Sequence, residues 1–519
     1  MVPEVVSFLF GCARRCGKAL APAGVVALAG VLAPAGCAVG PNFVRPSPPT
    51  FDRYLEPKGP QATESAEGRA QRFVNGAPLS ARWWQLFRAP ALDGIVNEAL
   101  LHNQTVASAV STLHQSEDAL RAGYGIFYPH IDAGLDASRQ RFSPANFGQS
   151  APPSIFNLFT LSGSVSYLVD VFGGARRQVE SLHAEVDFER NTMLAAYLAM
   201  TANIVNTSIA RAGYRAEIAA TQSLIDAAAE QVELAQIQAK AGTMPYAAAL
   251  SLQSQLSGLQ ASLAPLEFRD DQADHLLAVL VGHAPAEWTP PDLALSDFSL
   301  PEDLPLSLPS ELVRQRPDIL AAEARLHAAS AQIGVATAAL DPSLTLNGSL
   351  GTSTNQWSEL GEQQGRFWSG NGTLSVPVFQ GGSAWYGRKA AIDAYQAAQA
   401  DYRQVVLNGL QQVADALRAL QHDAEALRAE SDSAAAAREA LQLTQANYRA
   451  GLADYLAVLT ATNQLQTAQI GYVAAVAQRL QDTVALFVAL GGGWWNSSPP
   501  NPRAAAAASD PVDSVSERR

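Results

Sequence analysis

The chain has 519 residues, 48% of them apolar and only 16% charged, with a formal net charge of −13. That charge argues against nucleic-acid binding, which needs a basic face to displace counterions. The three cysteines, Cys12, Cys16 and Cys37, all lie within the first 37 residues, which excludes a disulfide framework and a cysteine-ligated zinc site from the body. The charged fraction falls below the usual quarter. Ala, Gln, Ser, Thr and Asn make up the difference, so much of the surface is uncharged and polar.

Arg14, Arg15 and Lys18 precede an uncharged run over residues 19–36. A basic n-region followed by an apolar h-region is a secretory signal, so residues 1–36 are read as a signal peptide. Small residues directly before Cys37 resemble a lipoprotein processing site, although Pro34 stands where such sites usually carry Leu. Cys37 is expected to become the acylated first residue; ordinary cleavage near Ala35 or Ala38 is the alternative. Residues 37–82 form a lipidated N-terminal segment, with 46–81 laid out as extended chain. Further on, the best candidate for a spanning helix is residues 191–210, which carry Asn191, Thr201, Asn203 and Asn206 and are too polar for hydrocarbon. A body that enters a membrane must therefore do so as β-strands.

The body repeats itself at an offset of about 210 residues. Gly242 in AKAGTMPYAAAL aligns with Gly451 in YRAGLADYLAVL, Pro129 with Pro342, and SYLVDVFGG with TLSVPVFQGG. Two copies are assigned, 83–295 and 305–495, with prolines 290, 291, 301, 305 and 309 at the junction. Each copy reads helix, strand, strand, long helix. Residues 175–241 and 383–450 lack internal proline, and helices of that length extend on the order of 100 Å. Leu410, Val413, Leu417, Leu420, Ala424 and Leu427 alternate steps of three and four, a coiled-coil seam. Gly242 and Gly451 interrupt these patterns where a left-handed helix end permits reversal.

The strands alternate strictly. Ile131, Ala133, Leu135 and Ala137 interleave with Asp132, Gly134, Asp136 and Ser138; Leu161, Val165, Tyr167 and Val169 with Ser162, Ser164 and Ser166. In the second copy Leu344, Leu346 and Leu350 interleave with Thr345, Asn347 and Ser349, and Trp368, Leu374, Val376 and Val378 with Ser369, Asn371, Thr373 and Ser375. Period two makes one apolar and one polar face, which suits tilted transmembrane strands with a wetted lumen; a soluble sheet lying on a core is the other reading. Four strands cannot close a membrane barrel, since about eight are the minimum. Several chains must contribute, and a trimer would supply twelve strands and leave a pore. Residues 496–519 read as a disordered tail.

The segments CAVGPNFVRP (37–46), WWQLFRAPALDGIVNEAL (83–100), VDVFGGARR (169–177), RQRPDILAAEARL (314–326), IGVATAALDPSLTL (333–346), VPVFQGG (376–382), YRAGLADYLAVL (448–459) and ALGGGW (489–494) resemble, in order and spacing, the TolC/OprM-like outer-membrane efflux proteins. The lipoprotein branch serving RND-type pumps is the nearest match, and the resemblance covers residues 37–495. It implies an α+β membrane protein: a homotrimeric 12-stranded outer-membrane β-barrel, four strands per chain, continued by a long periplasmic α-helical barrel. It implies a passive exit duct for small toxic compounds in the outer membrane of a Gram-negative bacterium, without cofactor. An inner-membrane RND-type pump would supply energy and a periplasmic adaptor (membrane fusion) protein would dock at the helical tip. Gly242 and Gly451 would mark the reversal at that tip, and Tyr448, Arg449, Asp454 and Leu456 the pore constriction. Thr460 departs from the family, where many members carry an acidic residue. Two alternatives stay open: the exit channel of a type I protein secretion system, and a non-porous coiled-coil envelope lipoprotein.

No enzyme signature accompanies these features. The eight histidines show no HExxH pairing, and no GxSxG occurs. Asp270-Asp271 and Asp415 with Asp423 read as solvated helix faces.

Overall fold

The computed structural model describes residues 38–55, 62–66, 68–143, 148, 150 and 152–496. The signal peptide, Cys37 and residues 497–519 lie outside the described residues. The chain divides into a sheet unit, built from residues up to Gly40, Phe127–Arg177 and Gly334–Ala384, and a helical unit, built from Pro41–Ile126, Gln178–Ile333 and the chain from Trp385 onward.

The sheet unit holds β2 (His130–Phe142), β3 (Ser154–Val169), β5 (Ser343–Thr354) and β6 (Arg366–Ser375), all antiparallel in the order β2-β3-β5-β6. Two sequence-distant hairpins thus join through β3 and β5. The register keeps one parity per face. Val165 lies opposite both Ile131 and Gly348, and Ser164 opposite both Asp132 and Ser349. On the polar face, hydroxyls and amides bond across strands: Thr160 Oγ1 to Ser353 Oγ at 3.0 Å, Ser166 Oγ to Asn347 Oδ1 at 2.9 Å, and Ser349 Oγ to Ser369 Oγ at 2.7 Å. The other face is apolar and open, with Ile131 80% and Trp368 84% exposed. Among the described residues β2 and β6 pair on one side only. The alternation read through Val376 and Val378 overshoots the strand, because pairing stops at Ser375.

The helical unit contains β1 (Arg72–Asn75), α1 (Pro90–His102), α2 (Gln104–Gly123), most of α3 (Gly174–Lys240), α4 (Tyr246–Val281), β4 (Asp303–Leu306), α5 (Pro309–Gln315), most of α6 (Pro317–Ala338), nearly all of α7 (Ser383–Arg449) and α8 (Tyr455–Ala489). The two copies match closely. α3 and α7 each have 67 residues, and their partners α4 and α8 have 36 and 35. The seam read along α7 is its buried stripe, with Val413, Leu420 and Ala424 fully enclosed. In the first copy Ile225, Val232 and Ala235 of α3 meet Leu252, Leu256 and Leu259 of α4 in the same three-four rhythm. α3 also contains a stretch long and apolar enough to cross a membrane by composition alone. Its Met200, Ile204, Val205 and Ile209 are buried in the core with Leu277, Val484 and Phe487, so their apolarity serves helix packing.

The main core forms around WWQLF, a 3-10 turn over Trp83–Phe87. Trp83 meets Trp84 edge-on at 6.0 Å and Phe487 at 5.8 Å, and Trp84 Nε1 donates to Asp93 Oδ1 at 2.8 Å. This gives each buried indole an apolar bed and Trp84 a polar exit. Pro317 opens α6 where its missing N–H costs nothing, with Asp318 in the first turn. Asp318 also grips Arg316, whose Nη1 donates to Ala489 O, the last carbonyl of α8, at 2.7 Å, and whose Nη2 donates to Gln412 Oε1 at 2.8 Å. One guanidinium therefore closes a helix end and ties α6, α7 and α8 together.

Three details correct the sequence reading. The segment 46–81 is not merely extended: β1 pairs in parallel with β4, and Arg72 forms an ion pair with Asp303 at 2.8 Å. Upstream, buried Arg479 of α8 donates to Gln71 Oε1 at 3.2 Å, and Gln71 Nε2 donates to Thr483 Oγ1 at 3.0 Å and Pro301 O at 3.2 Å. Such four-residue strands, one of them carrying Pro305, have no periodicity to read. Asp270 is not simply solvated, because it bonds Arg215 and lies 4.0 Å from buried Arg211, which also bonds Asp274. Asp423 is half-buried: burial and the adjoining Asp482 carboxyl push it up to about 7, against an opposing pull from Arg479. Asn496, the last described residue, is held in place, its Nδ2 donating to Leu79 O at 2.7 Å.

Two outcomes follow. Replacing Arg316 with Leu leaves the buried Ala489 carbonyl unpaired and is expected to cost about 2 kcal/mol and to lower the melting temperature; an unchanged melt would contradict the clasp. Asp423 has a native pKa raised above its unfolded value, so its stabilising contribution is complete near pH 4 and lost as pH rises through 7. Asp423→Asn is therefore expected to raise stability at pH 8, on the order of 1 kcal/mol for a half-buried group, with the gain shrinking toward pH 4 in parallel melts.

Candidate functional site

Two places gather the residues singled out by motif. The first is the corner where β3 passes into α3. The motif VDVFGGARR builds it. Asp170 Oδ1 accepts from Ala175 N at 3.0 Å, and Asp170 Oδ2 from Arg176 N at 3.2 Å and Arg176 Nε at 3.0 Å, so one carboxylate satisfies the unpaired N–H groups opening α3. Gly173 has φ +78, and a Cβ there would lie 2.5 Å from Ala38 Cα, so only glycine fits. Buried Arg177 donates through Nε to Val39 O at 3.1 Å, Val39 N donates to Phe172 O at 2.9 Å, and the Arg177 stem packs over Gly334. The motif is thus a clamp on residues 38–40, immediately after Cys37. In the helical unit the next residues also dock, with Phe43 stacked on His327 at 4.3 Å and Arg45 paired with Glu323 at 2.8 Å.

The second place is the pair of helix reversals. α3 ends at Gly242, φ +73, with Thr243 N donating to Gln238 O at 3.0 Å; α7 ends at Gly451, φ +72, with Leu452 N donating to Asn447 O at 2.8 Å. Both are Schellman-type ends in which the glycine adopts the left-handed conformation. Pro245 precedes α4, whereas Asp454 is the N-cap of α8, its Oδ1 accepting from Ala457 N at 2.9 Å.

Asp454, Leu456 and Tyr448 are brought together. They line one cleft of about 480 Å³ with Thr243, Met244 and Pro245 of the other reversal. Arg449 is exposed at the end of α7 and is not among the cleft's lining residues. Leu456 is 64% exposed and Leu452 79%. Thr460 turns its hydroxyl back to Leu456 O at 2.9 Å. The sequence reading missed the facing wall supplied by Thr243, Met244 and Pro245, although the repeat that aligned Gly242 with Gly451 already pointed to it. Among the described residues no cluster of His, Cys, Asp and Glu could hold a metal ion.

With this geometry in view, the similarities to known proteins are specific. The family model described as outer membrane efflux protein matches residues 95–283 and 308–492, one match in each copy. Outer membrane protein OprJ of Pseudomonas aeruginosa is 29% identical over 474 residues, 90% of this chain and 95% of that protein. The toluene efflux pump outer membrane protein TtgC of Pseudomonas putida is 28% identical over 453 residues, 85% and 91% of the two chains. The pyoverdine export outer membrane protein OpmQ of Pseudomonas putida is 28% identical over 451 residues, 86% and 94%. Among solved structures, the outer-membrane channel OprN superposes with a TM-score of 0.79 at 26% identity, covering 88% of this chain and all of that one. The Campylobacter jejuni CmeC channel, at 19% identity and TM-score 0.81 over 91% and 98% of the two chains, shares the fold. Two matched copies, a four-stranded amphipathic sheet and paired 67-residue helices lead to one assignment: the chain belongs to the outer membrane efflux protein family.

Proposed function

We propose that three copies of this chain form the exit duct of a tripartite efflux system, a passive conduit for small compounds across the outer membrane. The observation that carries the proposal is the sheet. It has one open apolar face, one hydroxyl-lined face and an unpaired side on both β2 and β6. A strand edge in hydrocarbon must be satisfied, and three sheets of four strands close into a twelve-stranded barrel wide enough for a pore. The similar proteins named for toluene efflux and pyoverdine export handle small molecules, which favours small cargo over a secreted polypeptide. Selectivity and energy would come from an inner-membrane RND-type pump, with a periplasmic adaptor engaging the helical reversals.

Within that duct, Tyr448, Arg449, Asp454 and Leu456 form the constriction. Three copies of Asp454 around an axis attract cations, and Leu456 presents an apolar ring. Only one acidic layer is expected, because Thr460 replaces the second. Cys37 carries the lipid. The clamp of Arg177 and Gly173 fixes residues 38–40, the chain that directly follows this attachment point.

Conductance in planar bilayers tests the duct: purified protein should pass ion current, and its absence even with Arg449 replaced by Ala would refute it. Asp454→Asn keeps a competent N-cap but removes the charge, so the preference for cations should fall severalfold with helix stability little changed. Fatty-acid labelling should disappear in Cys37→Ser while the protein still reaches the outer membrane; persistent labelling would exclude Cys37 as the attachment point.

A further inference from the structure

The apolar face of the sheet has a charged end. By register Ile131, Ala133, Leu135, Ala137, Arg139 and Arg141 of β2 share that face, and so do Leu374, Trp368 and Arg366 of β6. The rows are apolar toward the helix-linked ends. They finish in three arginines at the ends joined by the β2–β3 and β5–β6 connections. All three are exposed, and among the described residues none is in an ion pair, although Glu359 and Glu362 lie in the β5–β6 connection. In a chain of net charge −13 this is a local reversal of sign.

A depression adjoins Arg366. Ala133 and Gly163 are too small to fill the space between Leu161, Leu350 and Trp368, and Arg366 stands at its border. The β5–β6 connection folds onto the same face nearby, where Trp357 packs edge-on against Phe159 at 5.6 Å. β2 and β6 are three strand spacings apart, and by register Arg366 is level with Leu135, four residues from Arg139. Arg366 and the Arg139–Arg141 pair therefore stand roughly 20 Å or more apart, a span that one headgroup with two phosphates can bridge when the long side chains on both sides reach toward it.

Arginine on the lipid side of a barrel is disfavoured at the bilayer midplane and tolerated at the interface. Three at one end therefore set that end at headgroup depth. Guanidinium groups are suited to phosphate, which they bind in fork geometry. Resting on the reading that this face meets lipid, we infer that Arg139, Arg141 and Arg366, with the depression beside Trp368, form a binding surface for a phosphate-bearing lipid of the outer leaflet. A hydrocarbon chain occupies the depression and the phosphates meet the guanidinium groups. The surface works as a lipid contact that seats the sheet at a fixed depth.

The test uses the assembled protein in detergent, with melting temperature followed as lipid A bearing two phosphates is added. The wild type should gain several degrees by mass action. Dephosphorylated lipid A or inorganic phosphate at equal concentration should give little. The triple variant Arg139→Gln, Arg141→Gln, Arg366→Gln should lose the gain, and the triple Lys variant should keep most of it. Trp368→Ala should reduce the gain without abolishing it. Equal stabilisation by dephosphorylated lipid, a gain unchanged in the Gln variant, or a gain reproduced by inorganic phosphate would each overturn the inference. Conductance of the same preparations separates the two readings. Normal current without a phosphate-dependent gain refutes the lipid surface alone, whereas current absent even with Arg449 replaced by Ala refutes the duct.

Discussion

A backbone N–H or C=O in hydrocarbon must find a partner within the protein, because no water is there to supply one. The remaining features of this chain answer to that constraint. Among the described residues its sheet is four strands wide, amphipathic and unpaired on its two outer sides. In the proposed duct, closure by further copies would satisfy these edges by hydrogen bonding. The polar face satisfies itself through short Ser, Thr and Asn contacts across strands and, with Asp132 and Asp136 on β2, is wettable. The low charged fraction of the sequence suits the proposed wall, with an apolar face toward lipid and a hydroxyl-lined face on the other side.

Long helices raise a second demand, since each end leaves backbone groups unpaired. The chain meets it with different chemistry at each terminus. Asp170 covers the start of α3, left-handed glycines close α3 and α7, Asp454 opens α8, and Arg316 receives the last carbonyl of α8. Several of these groups do two things. Arg316 also joins three helices, and Asp454 is both the N-cap and a wall of the cleft between the reversals. A charge placed for capping thereby also lines that cleft without an additional residue.

The buried polar groups of the helical unit serve the N-terminal segment. Arg479 and Gln71 join α8 to the chain before β1, and Arg177 in the sheet unit holds residues 38–40. Each is a long side chain whose burial is tolerable only because its polar atoms are occupied. They position a segment that has little periodicity of its own and could not be placed by hydrophobic burial.

Much was legible in the sequence because it is local. The alternation of Leu and Ser along β3, the three-four rhythm of α7 and the aligned glycines 242 and 451 are short-range patterns. They determined strand faces, helix seams and reversal points to within about a residue, and with the motifs they indicated the family. Other features depend on approach between distant residues and left no such trace. β1 and β4 meet across 230 positions through four residues each. Asp423 and Asp482 look like solvated charges until α7 and α8 bring them together. Asp454 reads as a free acid until its carboxylate is seen to accept from Ala457 N. The sequence by itself determined which residues are amphipathic and where the chain turns, since those are set by neighbours one to four positions away. Only the tertiary structure decided which charges are paired, which share the apolar face of the sheet, and which glycine, Gly173, must be glycine because another segment passes beside it.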